Sequence, residues 1–290
     1  MKKKELYEGI TQTILEALEK GTVPWRKPFK TDFSVLPMNF SSGKTYRGIN
    51  ILLLNLVGMQ LAYPQNSWLT FNQAKKLGGH IRKEEQGTTI LFWKPIRIKD
   101  EEANPEKEEE NRQRFMARAY RVFNTDQCEG IDLEAGALIP AQPIRLADSV
   151  LDEYENAPRI LSGSKAAYYP KRDVVRIPQM KDFLSPAHYY STLFHELVHA
   201  TGHQSRLNRQ GIVSVKSSDR IGYAEEELVA EIGASFLSAM TGIASPELGE
   251  NTAAYIRGWL KALKDDKQMV IKAASQAQKA VDHILGIGWT

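Results

Sequence analysis

The amino-acid sequence predicts an α+β protein of two domains, the second of which combines an active-site helix with a small antiparallel sheet. The chain of 290 residues exceeds one average domain, and its 42% hydrophobic residues are enough to fill two cores. Helix-like and strand-like segments alternate in the first half, whereas helical periodicity dominates the last third. Glycine and proline punctuate residues 131–147, which predicts a linker between domains at 1–130 and 148–290.

The first half begins with helical patterns. Apolar residues three to four positions apart predict an amphipathic helix over 5–20 that ends at Gly21. A second helix is expected over about 49–60, and its apolar run falls short of the ~18 residues that span a bilayer. This helix is therefore predicted to be buried in the protein, and no membrane association is expected. A short helix over 70–79 is closed by glycine.

Two strands and an acidic loop complete the first domain. Residues 88–93 and 120–123 have the β-branched and aromatic content of strands and are expected to pair. Between them lies an acidic loop at about 100–114. Residues 100–111 contain seven acids against one lysine, and a run of like charge cannot bury a face.

The second half reads as a helix, two short strands and a helical bundle. A helix is expected around 146–155, followed by a strand, turn, strand pattern between 159 and 177. Four further helices are predicted at about 186–201, 223–241, 250–264 and 266–285.

Charge and cysteine content restrict the function classes. The net charge is +3, but residues 1–99 alone hold 16 Lys/Arg against 7 Asp/Glu, so an acidic partner such as nucleic acid would bind the N-terminal part. The single cysteine, Cys128, excludes an internal disulfide and a CxxC thiolate zinc site. No export signal is visible, and these features together predict a cytoplasmic protein.

The helix over 186–201 contains the motif His195-Glu196-Leu197-Val198-His199. Residues four apart point the same way on a helix, so His195 and His199 can share one zinc ion. Zinc lowers the pKa of a bound water to about 7, and Glu196 is placed to accept the proton and deliver it to a leaving amine. The alternative is that two histidines share a helix face by chance and are packed or solvated.

A catalytic zinc site needs a third protein ligand. One candidate, His203, reaches the metal only if the chain turns at Gly202. The metzincin pattern requires a histidine at 205, where this chain has Ser205, so that class is disfavoured. The other candidates are Glu227 and Glu231, which lie one turn apart on the predicted helix 223–241, whose beginning is acidic.

This acidic helix resembles that of the zincins with a glutamate ligand. The resemblance implies that Glu227 binds zinc and that Glu231 hydrogen-bonds a ligand histidine. A solvated acid near a helix N-terminus is the alternative for Glu227, and direct metal binding is the alternative for Glu231. The segment 173–178 is either the edge strand that pairs with an extended substrate or a buried core strand.

The basic N-terminal part interleaves aromatic residues with cations, as single-stranded nucleic acid binding requires. The candidate DNA-binding residues are Trp25, Arg26, Lys27, Tyr46 and Arg47. The competing interpretation is that the aromatic residues are core and the cations are solvated.

The chain as a whole resembles the ArdC-type antirestriction proteins of conjugative plasmids. The motifs that carry the resemblance are Gly21–Trp25, Tyr46–Asn50, Trp68–Ala74, Tyr190–Phe194, Thr201–His203 and Glu226–Glu231. The resemblance implies a single-stranded-DNA-binding domain joined to a zincin-like metallopeptidase domain that together protect incoming plasmid DNA from restriction. A protein substrate would be a host restriction component.

Three functions remain open on the sequence. The first is a single-stranded-DNA-binding zinc metallopeptidase, and the second is a DNA-coating protein whose metal site is structural or vestigial. The third is a conventional peptidase whose basic N-terminal part binds a protein partner. The intact Glu196 favours the first, because a structural site gains nothing from it. Tyr169, Arg206 and Tyr223 are candidates for stabilising an oxyanion.

Overall fold

The computed structural model describes residues 3–26, 36–96, 114–132, 142–213, 220–243 and 252–288. Within them the helices are α1 (Lys3–Glu19), α2 (Ile49–Gln60), α3 (Phe71–Lys76), α4 (Pro143–Asp152), α5 (Pro186–Ala200), α6 (Gln210–Val213), α7 (Arg220–Thr241), α8 (Thr252–Asp265) and α9 (Met269–Ile284). The strands are β1 (Met38–Asn39), β2 (Ser67–Leu69), β3 (His80–Ile81), β4 (Thr88–Ile96), β5 (Arg114–Asn124), β6 (Cys128–Glu129), β7 (Arg159–Ser162), β8 (Ala167–Tyr169) and β9 (Val174–Ile177).

The N-terminal elements follow the predicted pattern closely. The helix predicted over 5–20 is α1, and Gly21 adopts the positive φ of 82° that glycine tolerates best. The strands predicted at 88–93 and 120–123 pair in antiparallel register as β4 and β5. They belong to a four-stranded sheet of order β1-β2-β5-β4, and β3 pairs with β6 in a second, two-stranded sheet.

The C-terminal sheet is mixed, which corrects the expectation of an antiparallel one. β8 and β9 form the expected antiparallel pair, but β7 lies parallel to β9 on its other side. β9 is therefore the central strand, and Val174, Val175 and Ile177 are buried. Of the two alternatives for segment 173–178, the structure supports the buried core strand.

A single main core joins the two halves of the chain. It contains residues of α1 and α2 together with residues of α5, α7, α8 and α9. The side chain of Trp25 packs edge-on against Trp259, with ring centroids 5.8 Å apart. A second, smaller cluster of Leu54, Trp68, Ile90 and Val122 lies within the N-terminal part. The two halves are thus distinct in topology but share apolar surface, whereas the sequence suggested two separate cores.

Some expectations fall outside the described residues. The acidic loop lies there except for Arg114, which begins β5. Most of the predicted linker also does, while its last part is already helical from Pro143. The domain boundaries at 130 and 148 stay a prediction. In the part of the chain that is described, no helix combines the length and apolar character needed to cross a bilayer.

Candidate metal centre

Helix α5 presents the two histidines of the motif. Ser185 caps it by accepting a hydrogen bond from the backbone N–H of His188, and Pro186 occupies the first turn. The helix then runs without interruption to Ala200, so that residues four apart share a face. The Nε2 atoms of His195 and His199 lie 3.1 Å apart.

Helix α7 supplies the third donor. The Glu227 carboxylate lies 3.6 Å from Nε2 of His195 and 3.5 Å from Nε2 of His199. The helices can approach this closely because Gly233 faces Val198, and a Cβ at Gly233 would meet that side chain at 2.8 Å. The structure thereby brings the three predicted ligands together, with one donor atom from each lying within 4.8 Å of the others.

The spacing of these donors fits a single metal ion. Atoms about 2.0–2.1 Å from a tetrahedral zinc lie roughly 3.3 Å from one another. The separations of 3.1, 3.5 and 3.6 Å fall on either side of that value. Two imidazole nitrogens and one carboxylate oxygen also form the donor set of catalytic zinc sites, which leaves one coordination position for water or substrate.

The hydrogen bond from a predicted ligand histidine goes to Glu226, which corrects the role predicted for Glu231. The Glu226 carboxylate lies 3.2 Å from Nδ1 of His199. A carboxylate only accepts, so Nδ1 carries the proton and Nε2 presents its lone pair to the metal position. Glu226 is itself buried.

Arg209 holds Glu226 in place. Its Nε and Nη2 donate to the two Glu226 oxygens at 3.0 and 2.6 Å, and two further N–H groups donate to Thr201 Oγ1 and the Val198 carbonyl. Burial alone would raise the pKa of Glu226, but hydrogen bonds from His199 and Arg209 lower it overall. Glu226 is therefore ionised and oriented before any metal binds.

The two carboxylates also act on His199. Burial would lower the pKa of His199, but its contacts with Glu226 and Glu227 raise that pKa to about 9. The pKa of Glu227 is lowered in spite of burial, by hydrogen bonds to His195 and His199. The metal-free centre therefore favours a positive charge. A proton held between these groups occupies the position that a metal ion would take.

Glu231 faces a different partner. Its two oxygens accept from Nη2 and Nε of Arg26 at 2.8 and 3.2 Å. The pair lies at a cavity whose lining also includes His195. Glu231 is largely buried, and its hydrogen-bond partner is an arginine 205 positions away.

The remaining catalytic candidates lie in different surroundings. Glu196 is buried on α5 beside His195, one of the predicted ligands. Tyr223 is exposed on α7, and burial, the charge and hydrogen bond of Glu227 and the charge of Glu196 raise its pKa, which puts it beside the centre. Arg206, by contrast, is committed to Asp173 and to backbone carbonyls, so it is not available to an oxyanion. Tyr169 is exposed next to Arg176.

The predicted DNA-binding residues are mostly engaged in internal contacts. Trp25 is only 2% exposed and donates its Nε1–H to Tyr255, so it cannot stack on a base, which contradicts the prediction. Arg26 is paired with Glu231, and the Tyr46 hydroxyl accepts from Asn39. Arg47 forms an ion pair with the buried Asp282, and its side chain is half exposed. Lys27 lies outside the described residues.

The structure reveals an exposed aromatic surface outside the candidate DNA-binding residues. Phe92 of β4 and Tyr120 of β5 are exposed and form an edge-to-face pair with centroids 5.9 Å apart. Arg118 lies directly opposite Phe92 in the β-ladder and is exposed too. Because residues opposite each other in a ladder share a face, the three side chains form one surface. The alternation of aromatic and basic residues along these strands was the signal for it.

Comparison with known proteins identifies both halves of the chain. Residues 4–123 match a family described as the N-terminal domain of anti-restriction factor ArdC. Residues 147–276 match a family described as zincin-like metallopeptidase. The His-Glu motif and Glu227 both lie inside the second match.

Similar proteins include two Escherichia coli proteins named DNA primase TraC, at 34% and 32% identity over 98% of this chain. The chain spans only 20% and 27% of their lengths. The protein y4eC of Sinorhizobium fredii is 34% identical over 96% of this chain and 91% of its own.

Among solved structures, the antirestriction protein ArdC of plasmid R388 is 36% identical, covers 97% of both chains and superposes with a TM-score of 0.75. It has been determined in a Mn(II)-bound and in a metal-free form. By sequence, length and architecture, the chain belongs to the ArdC antirestriction family, with an ArdC-type N-terminal domain followed by a zincin-like metallopeptidase domain.

Proposed function

We propose that this protein is a zinc-dependent peptidase that also binds single-stranded DNA, and that it acts in the cytoplasm to protect incoming plasmid DNA from restriction during conjugation. The observation that carries the peptidase proposal is the triangle of donor atoms from His195, His199 and Glu227, with Glu196 next to His195 on the same helix. A purely structural metal site has no use for that glutamate.

One zinc ion would be held by His195, His199 and Glu227. When bound, it supplies a Lewis acid that acidifies water and polarises a substrate carbonyl. Glu226 and Arg209 fix the tautomer and orientation of His199. Zinc is favoured because two imidazoles with one carboxylate suit it, whereas manganese prefers oxygen ligands. Elemental analysis of protein purified without added metal tests this, and an excess of manganese over zinc would contradict it.

Glu196 is the proposed general base and acid. It accepts a proton from the attacking water and returns it to the leaving amine, so that both steps need a carboxylate beside the ligands. Changing Glu196→Gln should leave the metal content at the wild-type level and reduce peptide hydrolysis by about a hundredfold or more. Glu225→Gln, which changes a nearby acid on α7, is the matched control. Retained hydrolysis in Glu196→Gln would reject this role.

The proposal of single-stranded DNA binding is supported by the exposed surface of Phe92, Arg118 and Tyr120. Exposed aromatic rings stack on bases, and arginines contact phosphates. The excess of basic residues over 1–99 and the membership in the ArdC family favour the same partner. Tyr120→Ala should weaken binding of a single-stranded oligonucleotide by about fivefold or more.

Tyr169→Ala is the control for this experiment, because Tyr169 and Tyr120 are similarly exposed but lie in different halves. Binding by the wild type should also weaken steeply with salt, since phosphate contacts release counterions. If the two variants bind the oligonucleotide with equal affinity, this surface is not the DNA-binding site. If the wild type does not bind the oligonucleotide, the proposal of DNA binding is rejected.

The alternative function is a DNA-coating protein without peptidase activity. The two are separated by measuring plasmid transfer into a restricting recipient with wild type and Glu196→Gln. Loss of protection in Glu196→Gln would support a proteolytic mechanism with a host restriction component as substrate. Equal protection would assign antirestriction to DNA binding.

A further inference from the structure

A cavity of about 140 Å³ adjoins the metal centre at His195. Small residues of α5 and α7 form most of its wall, and the Arg26–Glu231 pair lies at one side. The lining residues are Trp25, Arg26, Ser191, Thr192, His195, Glu231, Ala234, Ser235 and Ser238. The cavity is similar in size to an engineered cavity of about 150 Å³ that accommodates benzene, so one amino-acid side chain fits within it.

Both halves of the chain contribute to this cavity. Arg26 comes from the N-terminal half and is held by two hydrogen bonds to Glu231 and by the ring of Tyr255, whose centroid lies 4.8 Å away. A guanidinium has five N–H donors, and the pair uses two of them. The wall therefore carries no net charge but offers both hydrogen-bond donors and carboxylate acceptors to a guest.

Ser238 is the residue of the cavity wall that indicates a polar guest. Ser238 is 2% exposed, and its Oγ has no hydrogen-bond partner among the described residues. Its neighbours on α7 behave differently, since Ser235 donates to the Ile232 carbonyl and Thr241 to the Leu237 carbonyl. A buried hydroxyl without a partner is costly, and a ligand that bonds to it recovers that cost.

We infer that this cavity binds the carboxamide side chain of a glutamine or asparagine in the peptide substrate, next to the bond that is cleaved. A carboxamide has one acceptor for Arg26 or Ser238 and two donors for Glu231. A carboxylate would face Glu231, an ammonium group would face Arg26, and an aliphatic chain would leave Ser238 unbonded. The inference rests on the proposed peptidase function, because it takes the guest to be part of a peptide.

The test measures binding and does not depend on turnover. Three peptide hydroxamates, which anchor to the metal, carry glutamine, glutamate or leucine at the adjacent position, and calorimetry gives their dissociation constants with the zinc-loaded full chain. The glutamine compound should bind about tenfold more tightly than the other two. Similar affinities for all three, tighter binding of the glutamate or leucine compound, or binding of none would overturn the inference.

Ser238→Ala is the decisive variant. It removes a hydroxyl without a partner, so its thermal unfolding temperature should equal or exceed that of the wild type while the preference for glutamine falls severalfold. Glu231→Gln keeps the side-chain shape and should reduce the preference further. Lys264→Ala, at an exposed ion pair between α8 and α1, should change neither quantity. If both Ser238→Ala and Glu231→Gln keep the full preference for the glutamine hydroxamate, these two residues do not bind its carboxamide.

These outcomes are separate from those that test the peptidase. A protein that prefers the glutamine hydroxamate but cleaves no peptide has the cavity and lacks the proposed activity. A protein that cleaves peptides and binds the three hydroxamates equally has the activity and lacks the inferred selectivity.

Discussion

Two arginine–glutamate pairs flank the metal centre, and they differ in what their hydrogen bonds leave free. The pair Arg209–Glu226 is buried, with 6% of each side chain exposed, and all its contacts lie within the C-terminal half. The pair Arg26–Glu231 is 27% and 16% exposed, joins the two halves and lies at a cavity. An arginine–glutamate pair thus positions the predicted ligand His199 on one side of the centre, and a second such pair lines the cavity on the other side.

The difference follows from the number of donors that each arginine has committed. Arg209 bonds to Glu226, to Thr201 and to the Val198 carbonyl, so it has little freedom to respond to a substrate. Arg26 bonds through two nitrogens to Glu231 and stacks on Tyr255. We therefore expect the first pair to control metal binding and stability, and the second to control selectivity.

The largest expected effect is on metal binding. Glu227→Ala removes a ligand and should weaken zinc binding by more than about a hundredfold, whereas Glu231→Ala should weaken it by less than about tenfold. Chelator competition monitored by metal content measures both. The reverse order would mean that Glu231, not Glu227, contacts the metal.

The next effect is on stability. Glu226→Ala leaves the buried guanidinium of Arg209 without its counter-charge and should lower the free energy of unfolding by about 3–5 kcal/mol. Denaturant unfolding of the metal-free protein measures it, so that metal loss does not contribute. A change below about 1 kcal/mol would show that Arg209 is satisfied without Glu226.

The pH dependence of the metal-free protein tests the same side of the centre. The pKa of His199 is raised to about 9 in the folded protein, so its stabilising charge is fully present below the unfolded value of about 6.5. The free energy of unfolding should then fall by about 3 kcal/mol as the pH rises from about 6.5 through 9. Glu226→Gln, compared with Glu225→Gln as control, should reduce this fall. An unchanged dependence of the free energy of unfolding on pH in Glu226→Gln would mean that Glu226 does not raise the pKa of His199.

The smallest expected effects lie on the open side. Arg26→Ala should lower the free energy of unfolding by about 1–2 kcal/mol, since its hydrogen bonds to Glu231 are partly shielded from water. The exposed pair of Lys264 and Glu19 also joins the two halves, and Lys264→Ala should cost less than about 0.5 kcal/mol. Equal losses in the two variants would mean that the Arg26–Glu231 pair behaves as an ordinary surface pair.

The roles of the two glutamates on α7 illustrate what sequence reasoning can reach. The predicted partner of a ligand histidine was Glu231, because the resemblance to the zincins with a glutamate ligand implied it and the spacing of four puts Glu231 on the face of Glu227. The structure gives that contact to Glu226, because α7 packs so that the successive residues Glu226 and Glu227 both contact His199. Helical spacing identifies which residues share a face of one helix. How two helices pack against each other decides which of those residues contacts the other helix.

The aromatic residues show the same limit. Trp25 and Phe92 both lie close to a basic residue in the sequence. Arg26 directly follows Trp25, and Lys94 is the second residue after Phe92. Trp25 is buried because Trp259 and Tyr255 of the distant helix α8 enclose it, while Phe92 extends beyond the sheet core. A nearby basic residue therefore does not distinguish the two environments, because the burial of Trp25 depends on contacts with a helix that is distant in the sequence.

The sequence by itself determined the helices, the pairing of β4 with β5 and the clustering of His195 and His199, because each depends on a short period along the chain. The tertiary structure decided that the two halves share a core, that Glu226 and Arg209 support His199, and that Arg26 reaches Glu231. These contacts join residues far apart in the chain, so they depend on how helices pack against one another, which local periodicity does not specify.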